Sequence, residues 1–461
     1  MPPPTSPRTS RPVPAGIFKA YDIRGLVPDE LDADLSRAVG AAFVQVCDVA
    51  GGSIVVGHDM RPSSPDLVRA FADGARTAGA DVTLIGLAST DQLYFASGRL
   101  GIPGAMFTAS HNPARYNGIK LCRANAVPIG LDTGLAEIRD LAVSGELEPA
   151  ATPGSVSEAD VLADYADYLL ALVPVTGRRV KVVVDAGNGM AGHTAPAVLD
   201  RLDVEVVPMY FELDGTFPHH EANPIEPENI RDLQDRVRQE QADIGLAFDG
   251  DADRCFLVDE RGEVVSPSVL TALIASRELE REPGATVIHN LITSRAVPEI
   301  VEERGGRPVR TRVGHSFIKA TMAQTGAIFG GEHSGHFYFR DFWRADSGML
   351  AALHALDALA SSDRAMSELL AEFSRFVGSG EINSEVDDQE AVMRRVEEAY
   401  ADAEGVSIDH LDGLSVLHED WWFNVRPSNT EPLLRLNAEG KNEATMAKVR
   451  DDVLATIRTG S

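Results

Sequence analysis

Residues 180–192 read VKVVVDAGNGMAG, a β-branched run that leads into a polar loop containing glycine. A helical stretch, APAVLDRL, and a second strand-like run, VEVVPM, follow directly. A strand, a loop, a helix and a second strand in that order are typical of a parallel β-α-β unit. This stretch therefore predicts an α/β domain with a parallel sheet.

The same order occurs twice more in the chain. SIVVG (53–57) leads through the loop HDMRPSS and the helical stretch LVRAFADGARTAG to ADVTLIG. ATVIHNLITSR (285–295) leads through AVPEIVEERGG to RPVRTRVG. The units are about a domain apart, which is longer than a solenoid repeat and predicts three α/β domains in series. One large sheet that contains all three units is the alternative.

The last part of the chain has a different pattern. Short strand-like runs alternate with turns in SIDHLDGLSVLHEDWWFNVRPSNTEPLLRLNAE, between two helical stretches. This predicts an α+β domain with an antiparallel sheet. The expected segments are a disordered tail at 1–14, α/β domains at 15–157, 158–262 and 263–374, and the α+β domain at 375–461.

Composition excludes several classes of protein. The 461 residues include 42 Lys plus Arg and 70 Asp plus Glu, a net charge of −28. Such a charge argues against binding to nucleic acid or to an anionic membrane surface, and Gly, His or Asp interrupts each apolar run that could span a bilayer. The first 14 residues lack the apolar region of a signal peptide. Three cysteines without a CxxC motif fit a reducing compartment, so we expect a cytoplasmic protein.

The strongest local signal is DGDADR, residues 249–254, directly after the apolar run ADIGLAF. Asp249, Asp251 and Asp253 offer oxygen ligands of the kind that Mg²⁺ or Ca²⁺ prefers. An EF-hand loop is an alternative because Glu260 stands at its twelfth position. However, the sixth position is Arg254 where an EF-hand needs glycine, and a strand-like run follows. An Asp-rich surface turn stays open as another alternative.

Ser110 lies in a second polar loop, TASHNP, after the run GAMF. It is a candidate nucleophile, although neighbouring residues in extended chain point to opposite sides, so His111 is expected to be poorly placed to activate it. Downstream, Lys120 could transfer protons or pair with anionic oxygens. Taken alone, Ser-His-Asn-Pro is more often simply a turn.

Two further loops offer groups for a polar ligand. GEHSGH (331–336) presents Glu, Ser and His between glycines and suits a sugar, with a metal site or a turn as alternatives. RPSNTEP (426–432) supplies donors for a phosphate, with a turn between strands as the alternative. DAGNGMAG (185–192) fails the spacing of a dinucleotide-binding loop and indicates a tight strand-to-helix connection, with a ligand role as the alternative.

Together the four loops, one in each expected domain, resemble the α-D-phosphohexomutase superfamily, and most closely its bacterial phosphomannomutase/phosphoglucomutase members. The resemblance covers nearly the whole chain and implies four domains around one central cleft. By position it implies that Ser110 is a phosphoserine and that Ser110, Asp249, Asp251 and Asp253 hold Mg²⁺. Lys120, Arg254 and His315 are the further catalytic residues that it implies. The substrate-binding residues it implies are Tyr21, Arg24, Glu332, Ser334, His336, Arg426, Ser428, Asn429 and Thr430.

The resemblance also implies a two-step reaction on hexose phosphates. Phosphoserine gives its phosphoryl group to the sugar, a hexose 1,6-bisphosphate forms and turns round, and the other phosphate returns to the serine. A phosphoserine beside three carboxylates needs a divalent cation between them. Phosphomannomutase activity is the first expectation, from a monomer or weak homodimer. Phosphoglucomutase, phosphoglucosamine mutase and a non-catalytic sugar-phosphate or metal-binding protein are the alternatives.

One position departs from the family pattern. Some relatives carry a lysine on the first strand-to-helix loop of the third domain, where this chain has Ile292. Substrate orientation there is expected to depend on His289, on Arg295 or on neither.

Overall fold

The protein is described by a computed structural model that covers residues 15–147, 149–428 and 433–458. It divides into two compact units. The first comprises residues 15–265 and 334–366, and the second comprises 266–333 and 367–458. The expected tail at 1–14 lies outside the described residues, and the four expected domain boundaries stay a prediction.

The first sheet of unit 1 has seven strands and is mixed, with three parallel and three antiparallel strand pairs. Its strands are β1 (Ile23–Leu26), β2 (Ser53–His58), β3 (Asp81–Leu87), β4 (Gly104–Phe107), β5 (Tyr116–Arg123), β6 (Val127–Pro128) and β7 (Val156–Glu158), in the order β1-β5-β4-β2-β3-β7 with β6 on β5. Strands β2, β3, β4 and β7 run parallel, whereas β5 is antiparallel to β4 and β1. Its helices are α1 (Ala33–Val46), α2 (Ser64–Thr77), α3 (Thr90–Leu100) and α4 (Leu135–Ser144). Phe71 packs edge-on against Phe107 in its core, with ring centroids 5.4 Å apart.

The second sheet of unit 1 has five strands. After helix α5 (Leu162–Leu172) come β8 (Val180–Asp185), α6 (Ala191–Leu199), β9 (Val204–Met209), α7 (Arg231–Glu240), β10 (Ile244–Phe248), β11 (Cys255–Asp259) and β12 (Val264–Val265). The order is β12-β11-β10-β8-β9, with β8, β9 and β10 parallel. Strand β10 is buried along its whole length, as its apolar sequence predicts for a central parallel strand.

Unit 2 contains the third β-α-β unit and the last domain. Its first part has α8 (Pro267–Arg281), β13 (Thr286–Asn290), α9 (Ala296–Glu303), β14 (Arg307–Thr311), α10 (His315–Thr325) and β15 (Phe329–Gly331), with the three strands parallel. Its last part has β18 (Val377–Glu385), α13 (Gln389–Tyr400), β19 (Ser407–Asp409), β20 (Leu414–Leu417), β21 (Trp421–Pro427), β22 (Leu433–Gly440) and α14 (Glu443–Arg458). These five strands form an all-antiparallel sheet in the order β18-β22-β21-β20-β19.

The chain between these two parts returns to unit 1. It forms the hairpin of β16 (Phe337–Phe339) and β17 (Ala345–Asp346), followed by the buried helix α11 (Gly348–Ala360). Helix α12 (Met366–Leu370) follows at the return to unit 2. Ser347 caps α11 by accepting the Leu350 N–H at 3.1 Å.

The expected fold class is confirmed. Each of the three repeated stretches forms a parallel β-α-β unit, in three different sheets, which excludes one continuous sheet. Within the described residues no helix has both the length and the apolar content to cross a membrane.

Candidate active site

Ser110 lies in the loop between β4 and β5 with an unusual backbone conformation. Its φ is +48°, in the left-handed region, and the residue is 4% exposed. The Ser110 N–H donates to Thr108 Oγ1 at 2.9 Å, and the Ser110 hydroxyl donates to Asp249 Oδ2 at 2.7 Å. Such a conformation persists only where the surroundings hold it, and it is frequent at active sites. The loop therefore presents the Ser110 hydroxyl to the aspartate loop.

Arg61 holds the backbone of this loop in place through hydrogen bonds. The side chain is fully buried, and all five of its N–H donors have acceptors. They are the carbonyl oxygens of Ser110 (2.9 Å), Asn112 (2.6 Å), Pro113 (3.0 Å) and Tyr116 (2.9 Å) and the carboxylate of Asp59 (3.1 Å). Arg61 thus fixes the path of the chain from Ser110 to Tyr116.

No functional signal for Arg61 is visible in the sequence. It lies in HDMRPSS, which reads only as a polar loop after β2. Asp59 fixes this loop locally, because its Oδ1 accepts the Arg61 N–H at 3.0 Å and the Ser64 hydroxyl at 2.8 Å. The Phe217 ring covers the guanidinium, with 5.1 Å between Arg61 Cζ and the ring centroid, which is a cation–π contact.

Asp249, Asp251 and Asp253 converge in the turn between β10 and β11. All three are buried, and one carboxylate oxygen of each lies within 4.8 Å of one oxygen of each of the other two. Because β10 and β11 are an antiparallel pair, the turn joins two strands, and the EF-hand alternative is excluded. Burial raises the pKa of Asp249 to about 7. The nearby Arg254 opposes this shift, and the other two carboxylates add to it.

Two cations partly neutralise these carboxylates. Lys120 Nζ donates to Asp251 Oδ2 at 2.7 Å and to Asp253 Oδ2 at 2.6 Å. Burial lowers the pKa of Lys120, but the two carboxylates outweigh it and hold the pKa well above its usual value. Arg254 Nε donates to Asp249 Oδ2 at 2.9 Å, whereas its buried Nη2 has no hydrogen-bond partner among the described residues.

The residues present fit a bound divalent cation. Three carboxylates, one lysine and one arginine leave this cluster with a formal charge of −1. Asp251 Oδ1 is buried without a hydrogen-bond partner in the described part of the chain, and such an oxygen is costly unless something binds it. An all-oxygen donor set suits a hard cation such as Mg²⁺.

The glycine loop DAGNGMAG packs against the turn that carries the three aspartates. The Met190 N–H donates to the carbonyl oxygen of Gly250 at 2.9 Å. A Cβ added at Gly189 would lie 2.7 Å from that oxygen, and one at Gly250 would lie 2.4 Å from the carbonyl oxygen of Ser110. Both positions therefore need glycine, and the loop acts as the tight connection that its sequence indicates.

His111 differs from the expectation. Its Nδ1 lies 3.1 Å from Ser110 Oγ, although side chains of neighbouring extended residues should point apart. The reason is the left-handed backbone at Ser110, which turns both side chains to one side. Burial lowers the pKa of His111 well below its usual range, so the ring is neutral.

Further expected site residues of unit 1 lie around the same loops. Arg24, on β1, donates from Nη1 to Asn112 Oδ1 at 2.7 Å, and Tyr21 lies partly buried before that strand. His336 Nε2 lies 3.5 Å from Asp253 Oδ1, and its Nδ1 lies 3.0 Å from Ser334 Oγ. His336 thus faces the aspartate loop.

Glu332 belongs to unit 2, whereas Ser334 and His336 of the same motif belong to unit 1. Its buried carboxylate follows β15 and accepts hydrogen bonds from Asn290 Nδ2 at 3.1 Å and the Gly314 N–H at 3.2 Å. Gly314 is the residue before α10, the helix that His315 begins. Glu332 is therefore anchored at the carboxyl ends of parallel strands, a common position for ligand-binding residues.

The motif RPSNTEP of unit 2 begins in the last residues of β21. Arg426 donates from Nη2 to Glu381 Oε2 at 2.5 Å, and Arg435 lies 3.4 Å from the other oxygen of the same carboxylate. Ser428 is buried, and its N–H donates to the carbonyl oxygen of Leu433 at 2.9 Å. The two remaining predicted residues, Asn429 and Thr430, lie outside the described residues.

The position that departs from the family pattern is apolar. Ile292 packs with Leu291 against Trp422. His289 is buried in β13, and burial lowers its pKa to about 4. Arg295 donates to the carbonyl oxygens of His418 and Glu419 at 3.0 and 2.8 Å. Here Arg295 joins the two parts of unit 2.

The contacts of Arg61 lead to a prediction. Arg61→Lys keeps the buried charge but loses the five-donor geometry, so the Ser110 loop should shift, and a shift of about 1 Å can cost about 100-fold in kcat. The measurements are kcat and amide exchange in residues 108–117. Arg69→Lys, the same change at an exposed pair with Asp66, is the control and should have no effect. An Arg61→Lys enzyme with normal kcat would contradict the role of Arg61 as a clamp.

Comparison with known proteins places these observations in one family. Sequence profiles of the phosphoglucomutase/phosphomannomutase family match in four parts: α/β/α domain I at 15–147, domain II at 163–262, domain III at 266–376 and the C-terminal domain at 381–456. A phosphomannomutase of Escherichia coli is 40% identical over 453 residues, 96% of this chain and 99% of that protein. A protein of Xanthomonas campestris named phosphohexose mutases is 42% identical, with 96% and 99% covered.

A solved structure agrees with this result. The phosphoglucomutase/phosphomannomutase family protein of Burkholderia thailandensis superposes with a TM-score of 0.89 at 34% identity, over 97% of this chain and 98% of that one. Both the sequence and the fold therefore match along nearly the whole chain, as the resemblance of the four loops implied. The chain belongs to the phosphoglucomutase/phosphomannomutase family of α-D-phosphohexomutases.

Proposed function

We propose that this enzyme is a phosphomannomutase that interconverts mannose 6-phosphate and mannose 1-phosphate, with glucose phosphates as a second substrate. Members of the family transfer phosphate within a hexose, which is an isomerase reaction. The observation that carries the proposal is the 2.7 Å contact between the Ser110 hydroxyl and Asp249, in a loop where three buried carboxylates converge. The preference for mannose rests on the bacterial relatives named phosphomannomutase.

Ser110, carrying a phosphoryl group, is the donor in this proposal. The free hydroxyl oxygen of the sugar bonds to phosphorus and gives up its proton, the bond from phosphorus to Ser110 Oγ breaks, and Ser110 Oγ takes up a proton, which leaves a hexose 1,6-bisphosphate and free serine. In the second step Ser110 Oγ takes the other phosphate back from the bisphosphate. Phosphoryl transfer of this kind depends mainly on alignment and on neutralising charge.

Asp249, Asp251 and Asp253 would hold Mg²⁺ together with an oxygen on Ser110. The cation supplies positive charge beside the transferred phosphoryl group. A phosphoserine carries about −1.5 to −2 charge at neutral pH, so the −1 cluster alone would repel it. Arg254 Nη2, which lacks a partner among the described residues, suits a phosphoryl oxygen.

The other expected residues bind the sugar and its second phosphate. Glu332, Ser334 and His336 would accept from or donate to sugar hydroxyls, and Tyr21 and Arg24 would contribute near Ser110. Arg426, Ser428, Asn429 and Thr430 would hold the phosphate that is not reacting, and His315 would contact phosphate or transfer a proton. Lys120 would act as a fixed ammonium, since its two carboxylate partners keep it protonated.

A coupled assay tests the proposal. Purified enzyme is given mannose 1-phosphate, glucose 1-phosphate or glucosamine 1-phosphate, each with Mg²⁺ and a trace of the matching 1,6-bisphosphate. We expect the largest kcat/KM for the mannose compound and a measurable value for the glucose compound. A larger value for glucose or glucosamine phosphate would replace the proposal with that mutase. Cation binding without any phosphate transfer would indicate a non-catalytic protein.

Location and assembly complete the proposal. We infer a cytoplasmic protein that works as a monomer or weak homodimer. Cys47, Cys122 and Cys255 are all described, and none of them forms a disulfide, which fits a reducing compartment. Light scattering at micromolar concentration measures the assembly directly.

A further inference from the structure

Asp251 has two carboxylate oxygens in very different surroundings. Oδ2 accepts the Thr90 hydroxyl at 2.6 Å and the Lys120 ammonium at 2.7 Å. Oδ1 is buried and has no hydrogen-bond partner among the described residues. One oxygen is therefore held by protein donors, and the other is left for a ligand.

Thr90 holds Asp251 through its backbone as well. The Thr90 N–H donates to the main-chain oxygen of Asp251 at 3.0 Å. Both residues have no exposed surface. Two hydrogen bonds from one residue fix the backbone and the side chain of Asp251 together, so the carboxylate cannot rotate without breaking one of them.

Thr90 is itself held in place by the first turn of α3. Ser89 caps this helix, and the next residue, Asp91, is a buried carboxylate. Asp91 Oδ2 accepts the Tyr165 hydroxyl of α5 at 2.7 Å and the Ser347 hydroxyl before α11 at 2.6 Å. The turn that carries Thr90 is thus tied to two other helices of unit 1.

We propose that Thr90 is a positioning residue for the cation site, which orients Asp251 so that Oδ1 faces the ion. The inference rests on the proposed function, because it takes the aspartate loop to be the Mg²⁺ site. Nothing in the sequence marked Thr90, whose position in LASTDQL reads only as the start of a helix.

The two partners of Oδ2 respond differently to a cation. Lys120 is positively charged and shared with Asp253, so a divalent ion among the carboxylates repels it and weakens its bonds. The Thr90 hydroxyl is neutral, and its bond to a carboxylate that binds a metal is retained. Hydrogen bonds of this kind to a metal-binding carboxylate typically contribute about 10- to 100-fold in metal affinity.

A matched pair of substitutions tests the role of the hydroxyl. Thr90→Val keeps the shape and the backbone N–H but removes the donor, whereas Thr90→Ser keeps the donor. Mg²⁺ binding to the purified, dephosphorylated full chain is measured by calorimetry, without substrate. We expect a dissociation constant about 10- to 100-fold larger for Thr90→Val and within about threefold of wild type for Thr90→Ser.

Ser97→Ala controls for a general loosening of α3. Ser97 is equally buried at the other end of that helix, where its hydroxyl donates to the carbonyl oxygen of Ile102 at 2.7 Å. We expect this variant to melt at a lower temperature and to bind Mg²⁺ normally. A loss of affinity equal to that of Thr90→Val would overturn the specific role of Thr90.

The remaining outcomes separate the two proposals. Wild type that binds Mg²⁺ while Thr90→Val binds it equally well would overturn the positioning role alone. Wild type that does not bind Mg²⁺ would overturn the cation assignment and, with it, this inference. A weak Thr90→Val with a normal Thr90→Ser supports both.

Discussion

Ser110→Ala is expected to lower kcat for mannose 1-phosphate by at least about 1,000-fold, even with saturating Mg²⁺ and 1,6-bisphosphate. The side chain loses the only atom that can carry the phosphoryl group in the proposed reaction. The remaining residues can still bind the sugar phosphates, so KM should change much less than kcat. The loss would therefore lie in the chemical step.

The fold of this variant should survive. Serine and alanine pay a similar cost at the left-handed φ of +48°, and the Arg61 bonds to the loop involve only backbone oxygens. The lost contacts are those of the hydroxyl with Asp249 and His111, worth about 1 kcal/mol each. A melting temperature close to that of wild type would separate lost chemistry from lost structure.

Two observations accompany the rate measurement. Wild type treated with glucose 1,6-bisphosphate should gain one phosphate by intact mass, and Ser110→Ala should not. Ser63→Ala is the matched control, since Ser63 accepts from Asn117 at 2.9 Å in the same region and should leave both mass gain and kcat near wild type. Full turnover by Ser110→Ala would exclude the phosphoserine reaction.

The sequence predicted the loops of this site because their chemistry is local. Three aspartates at alternate positions after an apolar strand are visible in DGDADR without any structure. Ser110 after GAMF follows the same logic, since the carboxyl ends of parallel strands gather polar loops. Asp249 and Ser110 are 139 residues apart in sequence, so their contact followed only from the family resemblance and then from the fold.

Other features could not be predicted because their partners are backbone atoms or depend on a special backbone angle. Arg61 binds four carbonyl oxygens, and no side-chain pattern encodes carbonyl positions. The expectation for His111 was wrong because it assumed an extended chain at Ser110. Motif GEHSGH reads as one loop, yet Glu332 belongs to unit 2 and His336 to unit 1.

Asp251→Asn should have a somewhat smaller effect on catalysis than Ser110→Ala and a direct effect on the cation. We expect Mg²⁺ affinity to fall by at least about 100-fold, which is about 2.7 kcal/mol, and kcat by about 100- to 1,000-fold. The reason lies in the two donors that hold Oδ2. Lys120 has only donors and can bond only to an acceptor, so it selects the single oxygen of the asparagine, to which the Thr90 hydroxyl also donates.

The amide nitrogen must then occupy the position of Oδ1. That atom is a donor and cannot be a metal ligand, so the substitution puts an N–H group where the ion needs an oxygen. A more weakly held cation also neutralises the charge of the phosphoryl group less well, and this lowers kcat even when Mg²⁺ saturates the site. Affinity is measured by calorimetry, and kcat over a Mg²⁺ titration.

Asp259→Asn provides the matched control. Asp259 is also buried, on β11, but it lies outside the convergent cluster and accepts the N–H groups of Arg261 and Glu263 at 3.0 and 2.9 Å. This variant should lose some stability and keep its Mg²⁺ affinity. If Asp251→Asn bound Mg²⁺ as tightly as wild type, the ion would have to be held elsewhere, because an asparagine held in this way offers it no oxygen.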